Sequence, residues 1–507
     1  MSLPRASGIL LHPTSLPGRF GVGDLGKEAY RFADFLASTG QRLWQVLPLG
    51  PTGYDNSPYQ CLSVFAGNPL LISLERLVED GFLDPALLDG APSFPESRVD
   101  YGAAIDFKIP LLNKSFETFL KKAASDERQK FEAFSRRNAS WLETYCLFMA
   151  LKDVHDLAAW NTWEEDVRKL HPKSLEHWRS ELNHEIRHHK YQQYQFFKQW
   201  SQLKKYCNER GIRFIGDMAI FIALDSAEVW SHPEMFYLDD NGRPTVVAGV
   251  PPDYFCKTGQ LWGNPLYRWD VMTRDGYRWW IERFRATHAL VDIIRLDHFR
   301  GFEKYWEVPG TDITAMNGRW VSGPGVELFR IVRKTLGTLP VIAEDLGVIT
   351  PEVDALRDQL GFPGMRVLQF AFGTDPKADD YKPHNYTRNC VVYTGTHDNN
   401  TTIGWLKGID VEDSTQSREE RETETQLALK YAGTDGHEIN WDFIRLALMS
   451  VADTAITPLQ DVLGLGSEAR MNLPGTTEGN WCWRFLPDMP TEEIKARLRE
   501  LTAIYGR

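Results

Sequence analysis

Leu290-Val-Asp-Ile-Ile-Arg-Leu-Asp-His298 is a short apolar run that ends in charge. Its β-branched residues favour an extended strand, and side chains on a strand alternate between two faces. Arg295 and Asp297 then share one face with Val291 and Ile293, while Leu296 shares the other with Ile294. The pattern predicts a buried strand whose last inward-pointing residues are an ion pair.

Seven more runs of this kind surround it. They are Gly8-Ile-Leu-Leu-His12, Leu43-Trp-Gln-Val-Leu47, Ile212-Arg-Phe-Ile-Gly-Asp217, Val341-Ile-Ala-Glu344, Arg366-Val-Leu-Gln-Phe370, Cys390-Val-Val-Tyr-Thr394 and Ala455-Ile-Thr-Pro-Leu459. Each is followed by polar residues, and helical stretches separate most of them, as in successive βαβ units. Eight such strands predict an α/β fold, a (β/α)8 TIM barrel, with its active site at the carboxyl ends of the strands.

Such a barrel needs about 250 residues, and this chain has 507. The surplus is expected as outgrowths of one catalytic domain spanning residues 1–507. A mainly helical insertion covers about residues 50–210. Its last helix has no Gly or Pro from His184 to Arg210 and carries a seam of Phe196, Trp200, Leu203 and Cys207. A second insertion, about residues 219–275, is rich in Pro, Gly, Trp and Tyr and reads as a long ordered loop over the active site.

Net charge is −12, which disfavours nucleic acid and anionic membrane surfaces as partners. The six cysteines form no C-x-x-C pair and read as reduced, mostly buried thiols. No apolar signal core opens the chain and no segment approaches a spanning helix, so a cytoplasmic protein is expected. There are 17 Trp, 18 Tyr and 27 Phe, most of them core, although rings in loops could also grip the faces of sugars.

Three carboxylates fall at predicted strand ends. Asp297 follows the fourth strand, where Arg295 should hold it ionised with a lowered pKa, as a nucleophile requires. Glu344 closes the fifth strand, where desolvation would raise its pKa toward that of a general acid. Asp398 lies after the seventh, in Thr396-His-Asp-Asn-Asn400. Taken singly, each has a plain alternative: a helix cap for Asp297, a surface residue for Glu344, an Asx-turn beside a solvated His for Asp398. On one barrel mouth together they suit retaining glycoside chemistry, which uses two carboxyl groups about 5–5.5 Å apart.

The chain resembles the 4-α-glucanotransferases, or amylomaltases, of the α-amylase-related barrel group. The resemblance runs from Gly8-Ile-Leu-Leu-His-Pro-Thr-Ser-Leu-Pro-Gly18 to Asn472-Leu-Pro-Gly-Thr-Thr-Glu-Gly-Asn480. Its most specific segments are Asp55-Asn-Ser-Pro-Tyr-Gln60, Val250-Pro-Pro-Asp-Tyr-Phe255, Gly259-Gln-Leu-Trp-Gly-Asn-Pro265 and Ala343-Glu-Asp-Leu-Gly347. It implies transfer of α-1,4-glucan segments from a donor maltodextrin to the 4-hydroxyl of an acceptor, with no C-terminal β-sandwich domain and no cofactor. It also implies Asp297 as nucleophile, Glu344 as acid/base and Asp398 as transition-state stabiliser. Arg295, His298 and His397 are implied contacts to the sugar at the cleavage point, with Asp217 and Asp345 close by. Ser57, Tyr59, Gln260, Trp262 and Asn472 are implied to line donor and acceptor subsites. Asn400 departs from the family pattern, in which many members carry an acid, and is expected to tune the site.

Three rivals are weighed beside this. An α-glucan hydrolase would use the same carboxylates with water as acceptor, and a non-catalytic glycogen-binding protein would not need all three. His184-Glu-Ile-Arg-His188 matches the H-E-x-x-H signature of zinc peptidases. However, Glu209 lies roughly 30 Å along the same predicted helix and cannot complete a zinc site, and the histidines read as a solvated polar face. No metal is expected.

Overall fold

The computed structural model describes residues 3–53, 55–252, 257–408 and 417–507. Within them, strands run in chain order as β1 (Ala6–Leu10), β2 (Leu43–Val46), β3 (Arg213–Met218), β4 (Val246–Val250), β5 (Gln260–Pro265) and β6 (Ile293–Leu296). They continue as β7 (Lys304–Pro309), β8 (Arg319–Ser322), β9 (Val341–Ala343), β10 (Gly364–Val367), β11 (Cys390–Tyr393) and β12 (Thr454–Pro458).

Eight of these form one parallel sheet in the order β10-β11-β12-β1-β2-β3-β6-β9. That order is a ring of the eight predicted runs, opened between the fifth and the sixth, although the sixth is displaced: β10 starts at Gly364, and Leu368–Phe370, predicted as strand, forms a 3-10 turn. Across the opening the Ala343 N–H donates to the Pro363 carbonyl at 2.9 Å, so the sheet curls into a (β/α)8 barrel. The fourth run starts later than its pattern suggests. The preceding helix Arg278–Leu290 takes Leu290, and the Asp292 carboxylate accepts the Phe214 N–H at 2.8 Å in place of a strand carbonyl.

The helices pack as amphipathic elements on the outside of the sheet. Lys27–Ser38 buries Ala29, Phe32, Ala33 and Leu36, the spacing of one helical face. The long helix Asn183–Glu209 plays a double part. Near its carboxyl end Trp200 packs against Phe214 of β3, with ring centroids 4.8 Å apart and the rings tilted by 52°, and donates its indole N–H to the Leu290 carbonyl at 2.9 Å, so this half covers the barrel. Its amino-terminal half packs against the outlying helices Tyr101–Lys122 and Ala139–Val154. The last helix, Glu492–Ile504, docks on the first, with Gln41 donating to the Thr502 hydroxyl at 2.9 Å.

The histidines of the H-E-x-x-H segment lie on that amino-terminal half. His184 pairs with Glu117 at 3.0 Å and His188 with Gln192 at 3.1 Å. His189 is buried against Asp153 at 2.8 Å, which corrects the solvated-face reading for that residue: the helix turns it toward its neighbour Ala139–Val154. Among the described residues no three or more His, Cys, Asp or Glu side chains are grouped to hold a metal.

The stretch 219–275 is not a loop without secondary structure, and here the sequence reading needs correction. It supplies β4 and β5 of an antiparallel sheet ordered β5-β4-β7-β8. The partner strands β7 and β8 come from beyond the fourth barrel strand. This is a pairing over tens of residues that local patterning does not reveal, and a bulge between Val247 and Gly249 breaks the alternation. Within the Val250–Phe255 motif, Asp253, Tyr254 and Phe255 lie outside the described residues, as does Cys256. The other five cysteines are free thiols, four of them buried.

Candidate active site

The site begins inside the barrel. Asp217 of β3 and Arg295 of β6 are partners in the parallel register, so their side chains point the same way, into the interior. One guanidinium nitrogen of Arg295 lies 2.6 Å from Asp217 and 3.0 Å from Asp297. Arg295 and Asp217 are almost fully buried, and each offsets the other's desolvation. Removing one partner of such a pair costs about 3–5 kcal/mol. The Tyr59 hydroxyl, from the long insertion, donates to Asp217 at 2.8 Å and ties that insertion to the barrel floor.

Asp297 caps no helix. The 3-10 turn that follows, Phe299–Phe302, begins after His298, whose backbone is left-handed (φ 49°), and no side chain caps it. A non-glycine residue held in that region is a strain that cores seldom carry and reactive sites often do. The turn swings the His298 N–H onto a Glu344 carboxylate oxygen at 2.6 Å, and the Leu346 N–H reaches the other oxygen at 2.9 Å. Glu344 is buried at the end of β9, not a surface residue.

Burial is the largest influence on both carboxyls and pushes both upward, with Glu344 among the charges that raise Asp297 and Asp345 raising Glu344. For Asp297 this corrects the sequence expectation: Arg295 pulls its pKa down, but desolvation outweighs that pull. The contact to Arg295 and the greater exposure of Asp297, 27% against a nearly sealed Glu344, bias the negative charge toward Asp297 and the proton toward Glu344. Two N–H donors favour the ionised form of Glu344 and act against this bias.

Asp398 follows β11, half exposed. It accepts from Asn472 Nδ2 at 2.7 Å and lies 3.3 Å from His397 Nε2. His397 is buried rather than solvated, stacked on the Tyr59 ring with centroids 5.2 Å apart. The His298 and Trp262 rings form a T-shaped pair with centroids 4.8 Å apart, and the Trp262 N–H donates to Gln260 at 3.1 Å. Burial pushes His298 down to about 3 and lowers His397 as well, so both rings are neutral near pH 7. The Nε2 of His298 is buried with no protein partner. Ser57 accepts the Tyr59 N–H at 3.3 Å and shapes that turn.

The structure therefore brings together Asp217, Arg295, Asp297, His298, Glu344, His397, Asp398 and Asn472, with Tyr59, Gln260 and Trp262 at the rim. Asp345 is turned away. Its carboxylate accepts the Met365 N–H at 2.6 Å and faces Arg357 and Arg366. Asn400 donates to Ser467 at 2.8 Å and is buried. Sequence reasoning missed Trp481, whose ring lies 5.9 Å from both Tyr59 and His397, and it stopped one residue short of it. It also passed over His12, a buried, neutral neighbour of His397 at the end of β1.

Known proteins resemble this chain over nearly its whole length. Residues 11–489 match the family model described as 4-alpha-glucanotransferase. The chain belongs to the 4-alpha-glucanotransferase family. Within it, the 4-alpha-glucanotransferase of Thermus thermophilus is 53% identical over 505 residues, covering 99% of each chain. That of Synechocystis sp. is 51% identical over 507 residues, 99% of this chain and 98% of that one. The solved amylomaltase from Streptococcus agalactiae in complex with acarbose superposes with a TM-score of 0.93 at 39% identity, covering 99% of both chains. The amylomaltase of Corynebacterium glutamicum (TM-score 0.79, 18% identity, 98% of this chain and 75% of that one) shares the fold.

Proposed function

We propose that this family member disproportionates α-1,4-glucans by a retaining double displacement, with Asp297, Glu344 and Asp398 as its catalytic carboxyls. Glu344 passes its proton to the glycosidic oxygen as Asp297 attacks C1. The C1–O bond breaks, a C1–Asp297 ester forms, and the shortened glucan leaves. Glu344, now ionised, takes the proton of an acceptor 4-hydroxyl, whose oxygen displaces Asp297 from C1. Two inversions keep the α configuration.

The observation that carries this reading is the hydrogen bond from the His298 N–H to Glu344. It fixes the acid beside the residue that follows the nucleophile. Asp398, held by Asn472, is placed to take sugar hydroxyls and support the cationic transition state. The unpartnered His298 Nε2 supports a hydroxyl contact at the cleavage point. Transfer prevails over hydrolysis when an acceptor waits in place and water is kept out, and Trp262 and Gln260 on β5 form that rim. No helix of the described residues is long and apolar enough to cross a membrane. We place the enzyme in the cytoplasm, a reading supported by its five described free thiols.

Incubation with maltotriose tests the function. Glucose together with a ladder of longer maltodextrins is the expected product set. Glucose and maltose alone would identify a hydrolase.

A further inference from the structure

The barrel has a seam. The strand ladder ends at β9 on one side and resumes at β10 on the other. Two hydrogen bonds cross to the backbone of the sixth strand's segment: Ala343 N–H to the Pro363 carbonyl at 2.9 Å, and Met365 N–H to Asp345 Oδ1 at 2.6 Å. In the second, a side-chain carboxylate takes the place of a strand carbonyl. Space for it depends on Gly364, where an added Cβ would fall 2.3 Å from Asp345 Oδ2. The carboxylate is sealed, 1% exposed, and its charge is met by Arg357 from the intervening helix Pro351–Leu360 and by Arg366 at 3.5 Å.

Glu344 lies between the two crossing bonds. Its N–H donates to the Leu296 carbonyl and its own carbonyl accepts from Phe299, both at 3.0 Å. Its side chain is gripped by the N–H of Leu346, the residue directly after Asp345. Any displacement of Asp345 moves that N–H and the carboxyl it holds.

We propose that Asp345 is a positioning residue for Glu344: it closes the barrel between the fifth and sixth strands and so sets the angle from which the general acid meets the leaving oxygen. This replaces the sugar contact expected from the sequence and rests on the acid/base role of Glu344 given above. A displacement on the order of 1 Å at a reacting group costs about 100-fold in rate, whereas a lost sugar contact appears in substrate binding.

The test compares two donors. Maltotriose needs a proton on its leaving oxygen. With α-maltosyl fluoride, the C1–F bond breaks as the Asp297 oxygen bonds to C1, and fluoride departs with the electron pair unprotonated. Asp345→Asn should lower kcat on maltotriose at least 30-fold with KM within twofold of the parent, while single-turnover fluoride release stays within about threefold. Gly364→Ala, which displaces the carboxylate without changing charge, should give the same pattern and decides the matter if Asp345→Asn does not fold. A tenfold rise in KM with kcat retained would mean a sugar contact. Parallel loss on both donors, unchanged kinetics, or failure of both variants to fold would each overturn the positioning role. Glu344→Gln, run alongside, reports on the underlying reading. If it keeps maltotriose transfer, the acid role itself fails, whatever Asp345 does.

Discussion

Glu344 accepts the backbone N–H of His298 at 2.6 Å. The carboxyls proposed as acid and nucleophile are thus held by one tight turn, and the roles proposed for them can be read from donors that differ only in leaving group. Glu344→Gln is expected to lose at least 100-fold on maltodextrins and still to accumulate a glycosyl adduct from an activated fluoride. Asp297→Asn should do neither. A covalent adduct trapped by Asp297→Asn and seen by mass spectrometry would reverse the assignment.

The raised pKa of Glu344 has a consequence for stability. The folded value lies above the unfolded one, so the native state holds the proton more tightly. Below the ordinary glutamate range both states are protonated and nothing is lost. As pH rises toward and through the raised folded value, the native carboxyl ionises in a dry site and stability falls. Glu344→Gln removes this loss. Its Tm should equal that of the parent near pH 4 and exceed it by roughly 1–3 °C at pH 8, at about 1 °C per kcal/mol for a chain this size. Equal Tm values at both pH values, measured by calorimetry, would contradict the shift.

Trp262 stands on β5, partly buried, its ring nearly perpendicular to that of His298. As a rim residue it should favour sugar over water at the glycosyl-enzyme. Trp262→Ala is expected to fold and to raise the share of donor lost to hydrolysis several-fold, measured as reducing ends released per transfer. An unfolded variant would mark the ring as an anchor of the second sheet instead.

Trp200 is a core residue at the join of insertion and barrel, packed against Phe214 with its N–H satisfied by Leu290. Trp200→Ala leaves a cavity and an orphaned carbonyl, an expected loss of about 3–5 kcal/mol with the active-site groups untouched. Denaturant midpoints would fall while kcat at low temperature stays near the parent value.

The sequence by itself determined the eight barrel strands, though not all their bounds, because each is a short apolar run that ends in polar residues and can be recognised without its partners. It also put Asp297, Glu344 and Asp398 near one another, because parallel strands that close into a ring deliver their carboxyl ends to one mouth. Tertiary structure decided what local pattern could not hold. The sheet β5-β4-β7-β8 joins segments on either side of the fourth barrel strand, and no window of sequence contains both. Asp297 looked like a carboxyl that Arg295 would keep acidic, but how much water the closed barrel excludes is a property of all its walls, and desolvation won. Asp345 sits beside Glu344 in the chain, yet successive residues at a strand end point to opposite sides. One therefore faces the barrel mouth, while the other turns to the Met365 N–H across the seam.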